Sequence, residues 1–153
     1  DNLIYKHDKS NLKTQENIKF INKYNFDMYI EFHCNAYNCQ VKGTETLYTS
    51  NNSESSILAA IVHHEIVKGY DRIIKHDRGI KYLWDFDRGH ANLINLKCPA
   101  IIIEPFFIDS DWDYNTYGVA LQHKLIQAIL NSIEQFEQHL KHKLDAKNQP
   151  SGV

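Results

Sequence analysis

Apolar positions along the chain fall into two rhythms. Short β-branched or aromatic runs alternate with longer stretches in which apolar residues return every three or four positions. The spacing of Ile18, Ile21 and Tyr24 predicts a helix over residues 14–24, with Thr14 as its N-cap and Asn25 at its end. Ile57, Leu58, Ile61, Val62, Ile66 and Val67 predict a long amphipathic helix over 55–70, closed near Gly69. Leu121, Leu125, Ile126, Ile129, Leu130, Ile133 and Phe136 predict a second one over 117–140. Between them lie Met28 to Phe32, Thr44 to Tyr48, Tyr82 to Trp84 and Ala100 to Ile103, each read as a strand or extended segment. The last is a run of Ala and Ile, the pattern of a strand buried on both faces. Strands alternating with helices predict an α/β domain: a central, mostly parallel, twisted sheet with helices on both faces.

Two of these strands end abruptly in ionisable residues. Met28 to Phe32 breaks into His33-Cys34-Asn35-Ala36, and the Ile run ends in Glu104. A carboxylate closing a buried strand is costly unless something pairs with it. Strand tips are also where open α/β sheets place their chemistry. His33 and Glu104 are therefore expected in one site. The strand charge Glu31 is expected to face solvent or a sheet neighbour, and His63 and His64 to be surface residues of their helix. Lys6 to Lys13, Ala36 to Lys42 and the charged stretch from Asp71 to Lys81 read as loops. Leu3 to Tyr5 reads as the end of a strand.

At 153 residues, 42% hydrophobic and 24% charged, the composition is that of one ordinary domain, taken as residues 1–140 with a fraying polar tail over 141–153. The net charge of −2 gives no electrostatic reason to expect nucleic acid or an anionic membrane as partner. No apolar run approaches the ~18 residues of a membrane span, and no signal peptide opens the chain. Cys34, Cys39 and Cys98 form neither a zinc knuckle nor a disulfide framework. A monomer is expected. No GxSxG elbow or P-loop points to another hydrolase class.

Four blocks in order, His33-Cys34-Asn35-Ala36, Gly43-Thr44-Glu45, Arg78-Gly79-Ile80-Lys81 and Pro99 to Glu104, resemble the zinc-dependent N-acetylmuramoyl-L-alanine amidases, especially phage endolysins and small clostridial cell-wall amidases. The resemblance runs from about Phe26 to Ile133. It implies hydrolysis, at the bacterial cell wall, of the amide between N-acetylmuramic acid and the L-alanine of the peptidoglycan stem peptide. It implies a Zn²⁺ held by His, Glu and His, of which His33 matches the last, and Glu104 as the general base for a zinc-bound water.

Asn35, Arg78 and Lys81 are candidates for holding substrate, Arg78 and Lys81 through its carboxylates. A turn role for Asn35 and a solvated loop for the two cations fit equally well. Glu45 reads either as a carboxylate behind the metal ligands or as a solvent-facing strand residue. Phe106, Phe107, Trp84 and Trp112 suit a wall for sugar or peptide, and the two Phe residues suit a core equally. His90 suits a surface position better than the groove. The family's first two ligands, a His in a Gly-containing loop and a Glu on the first helix, have no counterpart before His33; His7 and Glu16 are too close together for those roles. The expectation is that the family's first strand and helix are missing. The alternative is a non-catalytic peptidoglycan-binding relative with a degenerate metal site.

Overall fold

The computed structural model describes residues 14–70 and 76–148. Leu3 to Tyr5 and the whole predicted loop from Lys6 to Lys13, His7 included, lie outside them. The described elements run α1 (Thr14–Lys23), β1 (Tyr29–Phe32), β2 (Thr44–Tyr48), α2 (Ser55–Gly69), β3 (Asp77–Tyr82), α3 (His90–Leu93), β4 (Ala100–Glu104), α4 (Asp111–Asp113), a π-helical turn (Tyr114–Ala120) and α5 (Gln122–Asn148). The four strands lie in the order β1-β4-β2-β3. β1 pairs with β4 and β2 with β3 in parallel, while β2 and β4 run antiparallel.

Period two along the strands sorts their residues onto two faces. Ile101 and Ile103 of β4 join Leu58, Ala59, Val62 and Ile66 of α2 and Phe136 of α5 in one core. Ala100 and Ile102 join Ile18 and Ile21 of α1, Leu47, Leu83 and Leu93 in the other. The sheet is thus mostly parallel and covered on both sides, as the alternation of elements predicts. α2 and α5 cross closely where Gly69 lies, since a Cβ there would stand 3.6 Å from that of Ala128.

Three expectations are corrected. The strand near Trp84 lies earlier and includes Arg78-Gly79-Ile80-Lys81, read from sequence as a charged loop. Among the described strands β3 lies at an edge of the sheet, and its residues are exposed or half-buried, so its charges stay at the surface. The expected tail is helical to Asn148, because α5 continues beyond its apolar stripe. His63 is buried rather than on the surface: its ring contacts the Thr46 hydroxyl (3.1 Å) and Asp77 (2.8 Å), fastening α2 to β2 and β3.

Candidate active site

The same alternation places the polar residues. Tyr29 of β1 packs into the α1 core, so Glu31 and His33 point to that face. By the same rule Glu104 follows Ile102, Glu45 precedes Leu47, and Lys81 precedes Leu83. Strand order then lines them up across the sheet as Glu31 and His33, Glu104, Glu45, and Lys81.

His33 and Asn35 are held by a continuation of the β1–β4 ladder. His33 N–H donates to the Ile103 carbonyl (2.9 Å), Asn35 N–H to Phe106 (3.0 Å), and Ile108 N–H to the Asn35 carbonyl (2.8 Å). The Asn35 side-chain amide is consequently fixed, and it donates to both Glu45 (2.6 Å) and Glu104 (2.7 Å). The loop between β1 and β2 is tied down by two aspartates beyond β4. Asp109 accepts from the N–H groups of Tyr37 and Cys39, and buried Asp113 from those of Gly43 (3.0 Å) and Phe107 (2.8 Å).

Arg78 Nε donates to Glu45 (2.8 Å), with its guanidinium over the Phe107 ring, and Lys81 Nζ reaches the same carboxylate oxygen. Glu45 is buried, so of its two sequence readings the inward one holds. Burial alone would raise its pKa, but Lys81 and then Arg78 hold it below the ordinary range. Glu104 lacks such cations. Burial, followed by the hydrogen bond and negative charge of Glu45, pushes it up to about 7, against weaker opposition from His33 and Arg88. The pair is thus uneven: Glu45 is held below its ordinary value and Glu104 above it.

Glu31 is the residue that sequence reasoning missed. Its carboxylate does not face solvent but accepts from the His33 ring (Nε2 to Oε1, 2.6 Å), from Asn92 (2.9 Å) and from the Tyr29 hydroxyl (3.3 Å). The Glu31 hydrogen bond raises the His33 pKa, with burial opposing it. Although burial disfavours its charge, Glu31 is held below its ordinary value by His33, Asn92 and Tyr29. The signal lay in the sequence as a Glu and a His two positions apart on one strand.

Among the described residues no group of three or more His, Cys, Asp or Glu side chains is placed to hold a metal ion. A zinc centre of the expected kind needs three protein ligands. His33 supplies one nitrogen donor, and its Nε2 is engaged by Glu31. The described residues therefore do not make up a zinc centre by themselves. Of the proposed wall, Phe107 is buried, Phe106 packs against Tyr114 and Gly118, Trp112 lies under Lys42, and Trp84 is exposed. His90 is largely buried, its ring 3.3 Å from Asp85.

A family profile described as N-acetylmuramoyl-L-alanine amidase matches residues 2–135. No curated protein matches the sequence significantly. Among solved structures, similarity extends to the catalytic domain of CwlV, an N-acetylmuramoyl-L-alanine amidase from Bacillus (Paenibacillus) polymyxa var. colistinus. It shares 20% identity at a TM-score of 0.69, over 83% of this chain and 66% of that one. The catalytic domain of the CD27L endolysin, which targets Clostridia difficile, shares 26% at 0.59, over 77% and 62%. An N-acetylmuramoyl-L-alanine amidase from Clostridium difficile 630 shares 23% at 0.70, over 83% and 66%. The chain thus spans slightly less than two thirds of each of these structures.

Proposed function

The chain belongs to the N-acetylmuramoyl-L-alanine amidase family, and from that premise we propose that it binds peptidoglycan at the bacterial cell wall as a relative with a degenerate metal site. The observation that carries this reading is that, among the described residues, no set of metal ligands gathers around His33. What is present suits recognition of an amide and its neighbouring carboxylates. Glu104, its carboxyl pushed up to about 7, offers a hydrogen-bond donor to a carbonyl in its protonated form. Arg78 and Lys81, half-exposed beside Glu45, are available to carboxylates of a stem peptide. Asn35 holds the two glutamates in register.

The test is a pull-down on purified peptidoglycan together with an assay for released muropeptides. Retention without release is the expected result, and failure to be retained overturns the reading. A second reading, hydrolysis of the bond between N-acetylmuramic acid and L-alanine, is favoured by Glu104 itself. A carboxyl group titrating near 7 is suited to take a proton from water and return it to a leaving amine at neutral pH. That reading requires Zn²⁺ ligands beyond the described residues. One zinc per chain after dialysis, with muropeptide release abolished by Glu104→Gln, decides for it.

A further inference from the structure

The turn that follows β3 presents two large aromatic side chains to solvent. Phe86 is fully exposed and Trp84 is 70% exposed. The turn is held in shape. Asp87 N–H donates to the Trp84 carbonyl (3.0 Å), Trp84 N–H donates back to the Asp87 carboxylate (2.7 Å), and the Trp84 ring packs edge-on against Tyr82. Phe86 adopts φ +75°, a conformation that a bulky residue rarely takes. A fixed turn that projects an aromatic ring into water at a conformational cost calls for a reason outside folding. Beside it opens a cleft of about 400 Å³, lined by Asp85, Phe86, Asp87, His90 and Ala91. That size is in the range of small-ligand sites, roughly 300–1,000 Å³.

The segment that lines the cleft also carries residues that reach the Glu104 face of the sheet. Gly89 presses on the sheet so closely that a Cβ there would meet Ile102 Cδ1 at 2.7 Å, two residues before Glu104 on the same face. Arg88 acts electrostatically on both His33 and Glu104, and Asn92 donates to Glu31.

We propose that this turn is a saccharide platform, on which Phe86 and Trp84 stack against a hexopyranose ring of the glycan strand while Asp85 and His90 take its hydroxyl groups. This rests on the peptidoglycan reading above and names the part of that polymer met by this end of the groove. A pyranose has an apolar C–H face and a rim of neutral hydroxyls. Aromatic faces fit the first, and carboxylate acceptors beside an imidazole fit the second. A stem peptide carries carboxylates, which Asp85 and Asp87 would repel.

The experiment titrates the full chain with an N-acetylglucosamine tetramer and, separately, with a sugar-free stem peptide, reading Trp fluorescence and ligand saturation-transfer NMR. Phe86→Ala and Phe86→Gly are compared with the unaltered chain. Both remove a solvent-exposed ring, and the second relieves the positive φ, so each keeps the fold. The expected result is tetramer binding that weakens at least tenfold in both variants while peptide binding is unchanged. No tetramer binding by the unaltered chain, or equal binding by the variants, overturns the platform. Retention on whole peptidoglycan, measured alongside, separates the two ideas. Retention with failure of the tetramer sinks the platform alone, and loss of retention sinks the peptidoglycan reading as well.

Discussion

Glu45 and Glu104 stand directly opposite each other across the antiparallel β2–β4 pair, and one Asn35 amide group donates to both. Like charges facing each other across a ladder are destabilising. The conflict is resolved asymmetrically: Lys81 and Arg78 both bond Glu45 and hold its pKa down, while burial and the facing Glu45 charge push that of Glu104 up. Position on the sheet, with β3 beside β2 and not β4, decides which glutamate the cations reach.

Replacing Glu45 by Gln removes the facing charge and leaves the shape. The Glu104 titration is expected to fall from about 7 toward its ordinary range, with burial holding it partly raised. Lys81→Met should act the other way on the pair, raising the lower of its two steps, because Glu45 loses a cation. Carboxyl ¹³C NMR across pH 3–9 reads both. An unmoved Glu104 step in the Glu45→Gln variant would show that burial alone sets it.

Glu104 also gives the fold a pH dependence of definite sign. Its folded pKa lies above the unfolded value, so the folded state holds a proton that the unfolded chain releases. Stability from this group is fully present below the ordinary carboxylate range and is lost as pH rises through about 7. Urea unfolding of Glu104→Gln should lack that decline. A decline of equal size in the variant would assign it to other groups.

The three long helices and strands β1, β2 and β4 were legible because burial leaves periodicity in the sequence, whereas the short α3 and α4 left none. β3 was not. As an edge strand carrying Asp77, Arg78, Gly79 and Lys81, it hides no apolar alternation, and its partner β2 supplies the order. The end of α5 was missed because its last turns bury little, and a polar helix continuing a buried one has no pattern of its own. His63 was misjudged because its partners Thr46 and Asp77 come from two other elements, which only the fold brings together. Glu31 was misjudged as a single charge, although Glu and His at a spacing of two share one face of any strand.

Gly43 is fixed by its surroundings. It has φ +119°, and a Cβ would run into the His76 carbonyl that accepts from Thr44 N–H. Its own N–H donates to buried Asp113. Gly43→Ala is expected to cost about 1–3 kcal/mol from backbone strain, with a further loss from displacing the start of β2. Denaturant unfolding measures the cost, and a change below the scatter of ordinary surface substitutions would refute it.

A clamp remote from the groove ties the two long helices together. Glu54, buried at the start of α2, accepts from His139 (2.6 Å) and Lys143 of α5. Lys143 first, then His139, hold its pKa below the ordinary value. Glu54→Gln should cost about 1 kcal/mol at neutral pH, the scale of a partly exposed ion pair. The difference should vanish as pH falls through the depressed Glu54 titration. A cost that persists in acid would reassign it to packing.

The Glu31–His33 pair gives the sharpest coupled prediction. The Glu31 pKa is depressed, so its contribution is present above its ordinary value and lost as pH falls through the folded one. The His33 pKa is raised, so its contribution is present below 6.5, its ordinary value, and lost as pH rises through the folded one. Their mutual stabilisation should therefore peak between the two titrations and fall away on both sides. Glu31→Gln should lower the His33 titration, since burial then acts without its counterweight; ¹H NMR of the imidazole C–H reads this directly. A double-mutant cycle with His33→Gln, run by urea unfolding from pH 3 to 9, isolates the coupling from each residue's other contacts with Asn92, Tyr29 and Ile103. A coupling that is flat across that range would mean that the contact is geometric and carries no charge.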